Sequence, residues 1–289
     1  MRSLMLAGGG LKIPFQAGVL QVWLDEAGIE FDHGDGVSAA AFNLAMWAQG
    51  FSGTQIADNW RRFRPFAAVD VNWLQLLKLF YAKSFFELNP FRKKFFREWG
   101  LNFDKIRASR REATFNVYNF SKHTLRPVTA AELTEDFLIA ASSLPVWFPP
   151  VQIDGDTYID AVFNTPSNLE EAIRRGADEL WVIWTTSRLG RWRNGFIGNF
   201  FGIFEATTNH SYKQMLARIA SNNASIERGA PGEFGRRIMV RELQAEVPLH
   251  YLFNFNQSRF RQAVDQGVEA ARKWCDANNI SHKEVQKAL

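Results

Sequence analysis

Ser38 stands in "GDGVSAAAF", where a polar turn gives way to a run of small and apolar residues. Gly36-Val37-Ser38-Ala39-Ala40 is one methyl away from G-x-S-x-G, the tight strand-to-helix turn that aims a serine hydroxyl away from a sheet and toward the positive end of the following helix. The same five residues also suit a plain serine N-cap. What separates the two readings is the company the serine keeps, because a neutral hydroxyl needs a base to become a nucleophile and donors to hold the oxyanion that forms when it attacks a carbonyl. Gly8, Gly9 and Gly10 offer such donors, since glycine backbone can turn its N–H groups toward a ligand with no side chain in the way. Asp160 in "TYIDAVFNTP" closes a short apolar run ahead of small and polar residues, where a carboxylate can reach a pocket; it could equally cap a turn.

Other chemistries fit less well. The glycine run fails the Walker pattern, because Lys12 follows too closely and no Ser or Thr comes next, and it fails G-x-G-x-x-G at Ile13. A Ser-Asp-His order would have to use His210, His250 or His282, none of which sits in a recognisable turn at a strand end. The acidic clusters "DHGDG" and "DGDTYID" lack the spacing of a calcium loop, so catalysis is expected to need no metal and no cofactor.

These residues need a scaffold. "RSLMLA" reads as a buried strand that runs through the glycines into a helix beginning at Pro14, and "IEFDHGDGV" feeds a second helix, "AAAFNLAMWAQG". Further strands are expected at "ATFNVYNFS", "ELWVIWTTS" and "RRIMVREL", with a hairpin centred on Gly155. Helices are expected over 129–145 up to Pro145, over "SNLEEAIRRGAD", from about 195 to 228 and from about 257 to 277, and "DVNWLQLLKLFYAK" reads as a helix apolar nearly all round. Strands alternating with helices argue for an α/β fold, a three-layer sandwich around a largely parallel sheet. The 289 residues are expected to form one domain, 1–289, with a helical excursion at about 52–100 and a less recognisable part from about 190.

"AGGGLK", "GVSAA", "AASSLPVWFPP" and "IDAVFNTPSNLEEAIRRGAD", in that order over residues 7–178, together resemble the patatin-like phospholipase family. The resemblance implies a patatin-like fold and a lipid acyl hydrolase of phospholipase A or lysophospholipase type. In it Ser38 and Asp160 form a catalytic dyad without histidine, Gly8, Gly9 and Gly10 supply the oxyanion hole, and Lys12 lies near a lipid phosphate. Such an Asp160 needs a desolvated setting, because an exposed aspartate near 3.9 is too acidic to be a strong base. Ala40 replaces the elbow's second glycine, Ile13 and Pro14 follow Lys12, and Ala161-Val162 follows Asp160 in place of glycine and a small residue. These departures keep two alternatives open: a catalytically impaired lipid-binding relative, and a Ser-His-Asp α/β-hydrolase.

Charge and aromatic content point to the same kind of partner. Residues 60–99 carry nine Lys or Arg against three acids and twelve of the 41 aromatics, and "RLGRWRNGFIGNFFGIF" at 188–204 repeats the chemistry. Rings at headgroup depth with cations facing anionic lipid suit a peripheral membrane surface, although most of these rings are expected in the core. Membrane phospholipids or other acyl lipids are the expected partners, and nucleic acid is not, since no RNP or OB-type pattern accompanies the rings. One cysteine, Cys275, rules out an internal disulfide, and no window approaches the roughly 18 apolar residues of a spanning helix, so a cytoplasmic protein, peripheral at the membrane, is expected.

Overall fold

The computed structural model describes residues 1–67, 70–71, 78, 83–254 and 256–281. In chain order its strands are β1 Arg2–Leu6, β2 His33–Val37, β3 Asp70–Val71, β4 Phe86–Glu87, β5 Glu112–Asn119, β6 Thr124–Thr129, β7 Val151–Ile153, β8 Asp156–Asp160, β9 Glu179–Trp184 and β10 Met239–Gln244. The helices that matter below are α1 Ile13–Leu20, α2 Ala40–Ala48, α3 Gly53–Arg62, α4 Glu135–Ala141, α5 Leu169–Arg174, α6 Phe196–Glu227 and α7 Gln257–Ala277.

The main sheet runs β10-β9-β1-β2-β5-β8-β7, with β6 also on β5. Its first five strands are parallel, and β6, β7 and β8 are antiparallel additions. Alternation along the central strands divides the core in two. Leu4 and Leu6 of β1 with Trp181 and Ile183 of β9 pack on one face, against α1, α2, α3 and α7. Met5, Leu180, Val182 and Trp184 pack on the other, against α5 and α6. The result is the expected three-layer α/β sandwich: strands covered on both faces bury nearly every side chain, which is why "ELWVIW" reads as a continuous apolar run. Close helix packing depends on glycine at one point in particular, where a Cβ on Gly18 would lie 2.0 Å from the Val264 carbonyl oxygen between α1 and α7.

Several boundaries shift. The helix expected over 129–145 begins only at Glu135, because Thr134 accepts from the Phe137 N–H as its N-cap, while Thr129 caps a separate short turn at 130–132 through Glu132. The strand β6 carries Pro127, which sequence reading passed over; an outer position against β5 tolerates the missing N–H. Of the apolar helix expected over 70–83, residues 72–77 and 79–82 lie outside the described residues.

Candidate active site

Strand register brings the two principal candidates together. Val37, the last residue of β2, pairs with Asn116 of β5, and Asp160, the last residue of β8, pairs with the next position, Val117. Since β6 occupies the other edge of β5 over 114–119, β8 runs toward the end of β2 along the same edge from the opposite direction. The chain leaving β2 therefore meets the chain ending β8. Ser38 turns there with φ 59, and its Oγ donates to Asp160 Oδ2 at 2.5 Å across 122 positions of sequence. The left-handed φ marks the sharp turn: a non-glycine residue adopts it at a cost of about 1–2 kcal/mol, borne by the packing of α2 against β2. Ala40 fits this turn as a fully buried residue at the start of α2.

The carboxylate is held on both sides. Val162 N–H donates to Asp160 Oδ1 at 2.9 Å, so the Ala161-Val162 turn still presents an amide to the carboxylate and leaves Oδ2 for the serine. "SSLP" clips both partners: Ser142 Oγ donates to the Ser38 carbonyl at 3.4 Å, and Asp160 N–H donates to the Ser143 carbonyl at 3.1 Å. Burial pushes the Asp160 carboxyl up from 3.8 to about 7, against the opposing pull of the hydrogen bonds from Ser38 and Val162. A carboxylate of that basicity can take a proton from a hydroxyl at neutral pH.

The glycine loop adjoins this pair. A Cβ on Gly8 would lie 2.7 Å from Val162 Cγ2 and 3.2 Å from Ser38 Cβ, so only glycine lets the loop approach so closely. The Gly8 N–H is donated to the Pro166 carbonyl at 2.9 Å. No acceptor within the protein engages the Gly9 or Gly10 N–H among the described residues. Gly10 has φ 53, and its Cα faces the Tyr251 carbonyl. Sequence reading missed Thr186, whose Oγ1 donates to the Gly8 carbonyl at 3.1 Å. That carbonyl and the Gly9 N–H are the two ends of one planar peptide, so the hydroxyl sets the direction of the amide.

Lys12 lies elsewhere. It is buried, with Nζ 4.1 Å from the centre of the Tyr251 ring, and is not among the side chains lining the pocket beside Ser38. Desolvation lowers it to about 8, against the attraction of Glu205 and Glu246.

The pocket is open at one end, encloses about 830 Å³ with its mouth, and is lined by Ser38, Gly10, Phe42, Phe91, Leu144 and Phe201 among others. Apolar walls around one hydroxyl suit an acyl chain. Beneath the serine, Asp35 accepts from Thr114 Oγ1 at 2.5 Å and Asn116 Nδ2 at 2.9 Å, Asn116 also donates to the Gly36 carbonyl, and Asn168 donates to Asn116 Oδ1 at 2.7 Å. This buried chain ties β2, β5 and the start of α5 together under the turn.

A family model described as Patatin-like phospholipase matches residues 4–173, more than half of the chain. The chain belongs to the patatin-like phospholipase family. That family comprises lipid acyl hydrolases, and the matched span contains the glycine loop, the Ser38 turn and Asp160. The crystal structure of VipD from Legionella pneumophila is similar with a TM-score of 0.46 at 12% identity, covering 96% of this chain and 67% of that one. No curated protein sequence matches significantly.

Two histidines of this patatin-like chain are engaged in buried or part-buried hydrogen bonds. His33 lies buried between Ser3 Oγ (2.7 Å) and Thr114 Oγ1 (3.1 Å), and His250 Nδ1 accepts the N–H groups of Leu252 and Phe253. Burial lowers both to about 4. His210 lines a surface cleft, His123 occupies an exposed turn, and His282 is outside the described residues. Among the described residues no group of three His, Cys, Asp or Glu side chains could hold a metal ion, and no helix is long and apolar enough to cross a membrane.

Proposed function

We propose that this protein hydrolyses carboxylic esters of membrane lipids, as a phospholipase A or lysophospholipase, through a Ser38-Asp160 dyad. The observation that carries the reading is the 2.5 Å hydrogen bond from Ser38 Oγ to a buried carboxylate at the floor of an apolar pocket. Asp160 takes the hydroxyl proton as Ser38 Oγ bonds to the ester carbonyl carbon. The carbonyl oxygen becomes an oxyanion facing the Gly9 and Gly10 N–H groups, while the acyl chain lies along the phenylalanines. Collapse of this intermediate expels the alcohol, which leaves with the proton from Asp160. Water, deprotonated by the same carboxylate, then attacks the acyl-enzyme and releases the fatty acid, and Ser38 recovers its proton. Each step returns the proton it borrows, and no histidine takes part.

Hydrolysis of mixed phospholipid vesicles, followed by released fatty acid, tests the reading. Turnover is expected to vanish in Ser38→Ala and in Asp160→Asn and to survive alanine at His210, His250 or His282. Loss of turnover on replacing one of these histidines would establish a triad instead, and vesicle binding by the parent protein without turnover would establish an inactive lipid-binding relative.

A further inference from the structure

The described rings of the two aromatic-basic stretches differ in exposure. In residues 60–99 the described rings of Trp60, Phe63, Phe91, Phe95, Phe96 and Trp99 are buried and stack on one another, so they are core. In contrast, Leu189, Trp192, Phe196, Ile197 and Ile203 are five of the nine large hydrophobic side chains exposed among the described residues, and they fall within fifteen positions. They gather on the start of α6 and the loop that leads into it. Trp192 lies against α6, where a Cβ on Gly202 would be 3.1 Å from its ring, and the Arg193 carbonyl sits over Gly198. At about 100° per residue, Phe196, Ile197, Phe200, Phe201, Ile203 and Phe204 occupy one arc of α6 about 160° wide. Phe201 and Phe204 point into the catalytic pocket, while Phe196, Ile197 and Ile203 remain in solvent. Phe196 and Ile203 thus sit at the opposite edge of the arc from Phe201, while Ile197 falls between Phe204 and Phe201 and is exposed on the first turn of α6.

Charge distinguishes this surface from a generic sticky patch. Residues 188–204 hold three arginines and no acid. Most arginines of this protein are ion-paired, as with Arg188 on Glu242 at 2.6 Å, but Arg191, Arg193 and Lys213 have no acidic partner among the described residues. Arg191 and Lys213 line a cleft of about 900 Å³ together with Trp192, Asn209 and His210. The acid in that cleft, Glu205, accepts from the Tyr251 hydroxyl at 2.9 Å.

We infer that the 188–203 surface docks on an anionic membrane, with the apolar residues entering the interface and the Arg191–Lys213 cleft taking a lipid headgroup phosphate, a site separate from the catalytic pocket. The inference rests on the lipid hydrolase reading for its purpose but not for its test.

The test uses the full chain carrying Ser38→Ala, so that lipid is bound but not consumed, with sedimentation on phosphatidylcholine vesicles with and without phosphatidylserine. Each cation at an anionic surface is worth about fivefold in partitioning, so Arg191→Gln with Lys213→Gln is expected to lower binding to anionic vesicles about 25-fold and to cut their preference over neutral ones by the same factor. Trp192→Ala with Phe196→Ala is expected to lower binding to both kinds at least tenfold. In an otherwise unchanged chain, both double variants are expected to hydrolyse a water-soluble short-chain ester at the parent rate. Unchanged vesicle binding in either double variant would overturn the inference, as would release of bound protein by inorganic phosphate but not by chloride of equal ionic strength, which marks a free-anion site. A parent that dimerises in gel filtration and becomes monomeric in Trp192→Ala/Phe196→Ala would assign the surface to a second copy instead. Loss of short-ester turnover in the unchanged chain would refute the catalytic proposal while leaving the docking result standing.

Discussion

Replacing Asp160 by asparagine is expected to abolish turnover and, at the same time, to stabilise the fold in a pH-dependent way. The carboxyl ionises near 3.8 when exposed and near 7 when buried in the folded protein. A group harder to ionise folded than unfolded binds its proton more tightly in the folded state, so stability is greatest below 3.8 and is lost as the pH rises toward about 7. About three units at 1.36 kcal/mol each make the ionised carboxylate cost about 4 kcal/mol at pH 8, and about 2 kcal/mol at pH 5, where the folded carboxyl stays protonated but the unfolded one does not. Asparagine carries no charge to bury. Its carbonyl oxygen can keep the bond from the Val162 N–H, and its amide can donate to Ser38 Oγ, so neither polar atom is orphaned. Asp35 is pushed to about 7 by burial in the same direction, but both proteins carry it and it cancels. Urea unfolding followed by tryptophan fluorescence at pH 8 and pH 5 reads the difference: a midpoint shift of about 1 M in favour of Asp160→Asn at pH 8, shrinking to about half at pH 5. Ester turnover at pH 8 is expected to fall at least about 1000-fold. A stability difference independent of pH would refute the desolvated-base reasoning even if turnover were lost.

Three further outcomes follow from the same geometry. On a soluble ester kcat/KM is expected to rise with pH through a midpoint near 7, to about a tenth of its plateau at pH 6, because only ionised Asp160 accepts the serine proton; a midpoint near 4 would show an ordinary exposed carboxylate. Thr186→Val, which deletes the hydroxyl holding the Gly8 carbonyl, is expected to lower kcat about tenfold with KM unchanged, and Thr186→Ser to restore it, as measured by steady-state kinetics. Ser38→Gly is expected to be about 1 kcal/mol more stable than Ser38→Ala in urea, since both lose the hydroxyl but only glycine adopts φ 59 without strain.

What the sequence disclosed tracks how local each requirement is. A serine at a strand-to-helix turn and a glycine run after a strand are constraints within a few residues, and the fold places both turns as read. The β2–β5–β8 register that unites Ser38 with Asp160 is not local, and only the order of the motifs hinted at it. Thr186, Asn116 and Asn168 stayed invisible for the same reason: threonine just past an apolar strand, asparagine inside one and asparagine capping a helix gain this meaning only against neighbours from distant segments. Lys12 is a different case. Its place after the glycines suggested a ligand contact, but one turn of backbone carries its side chain under Tyr251.

The aromatic-basic stretches show where composition stops being informative. Both mix rings with cations at similar density, and chain position separates them only through what is available to cover each face. In α3, Ile56, Ala57 and Trp60 share one side, and α1 and α7 close over it while Arg61 reaches Asp58 and Asp265 outside. One narrow stripe meets enough partners and is buried. The start of α6 presents an arc too wide for the pocket wall to cover: Phe201 and Phe204 use up the contact with Tyr251, Phe200 packs on Trp147 and Phe163, and Phe196, though it meets Phe85 and Trp147, stays exposed with Ile203. The width of that arc, and not the number of its rings, decides that this surface stays open beside the pocket mouth.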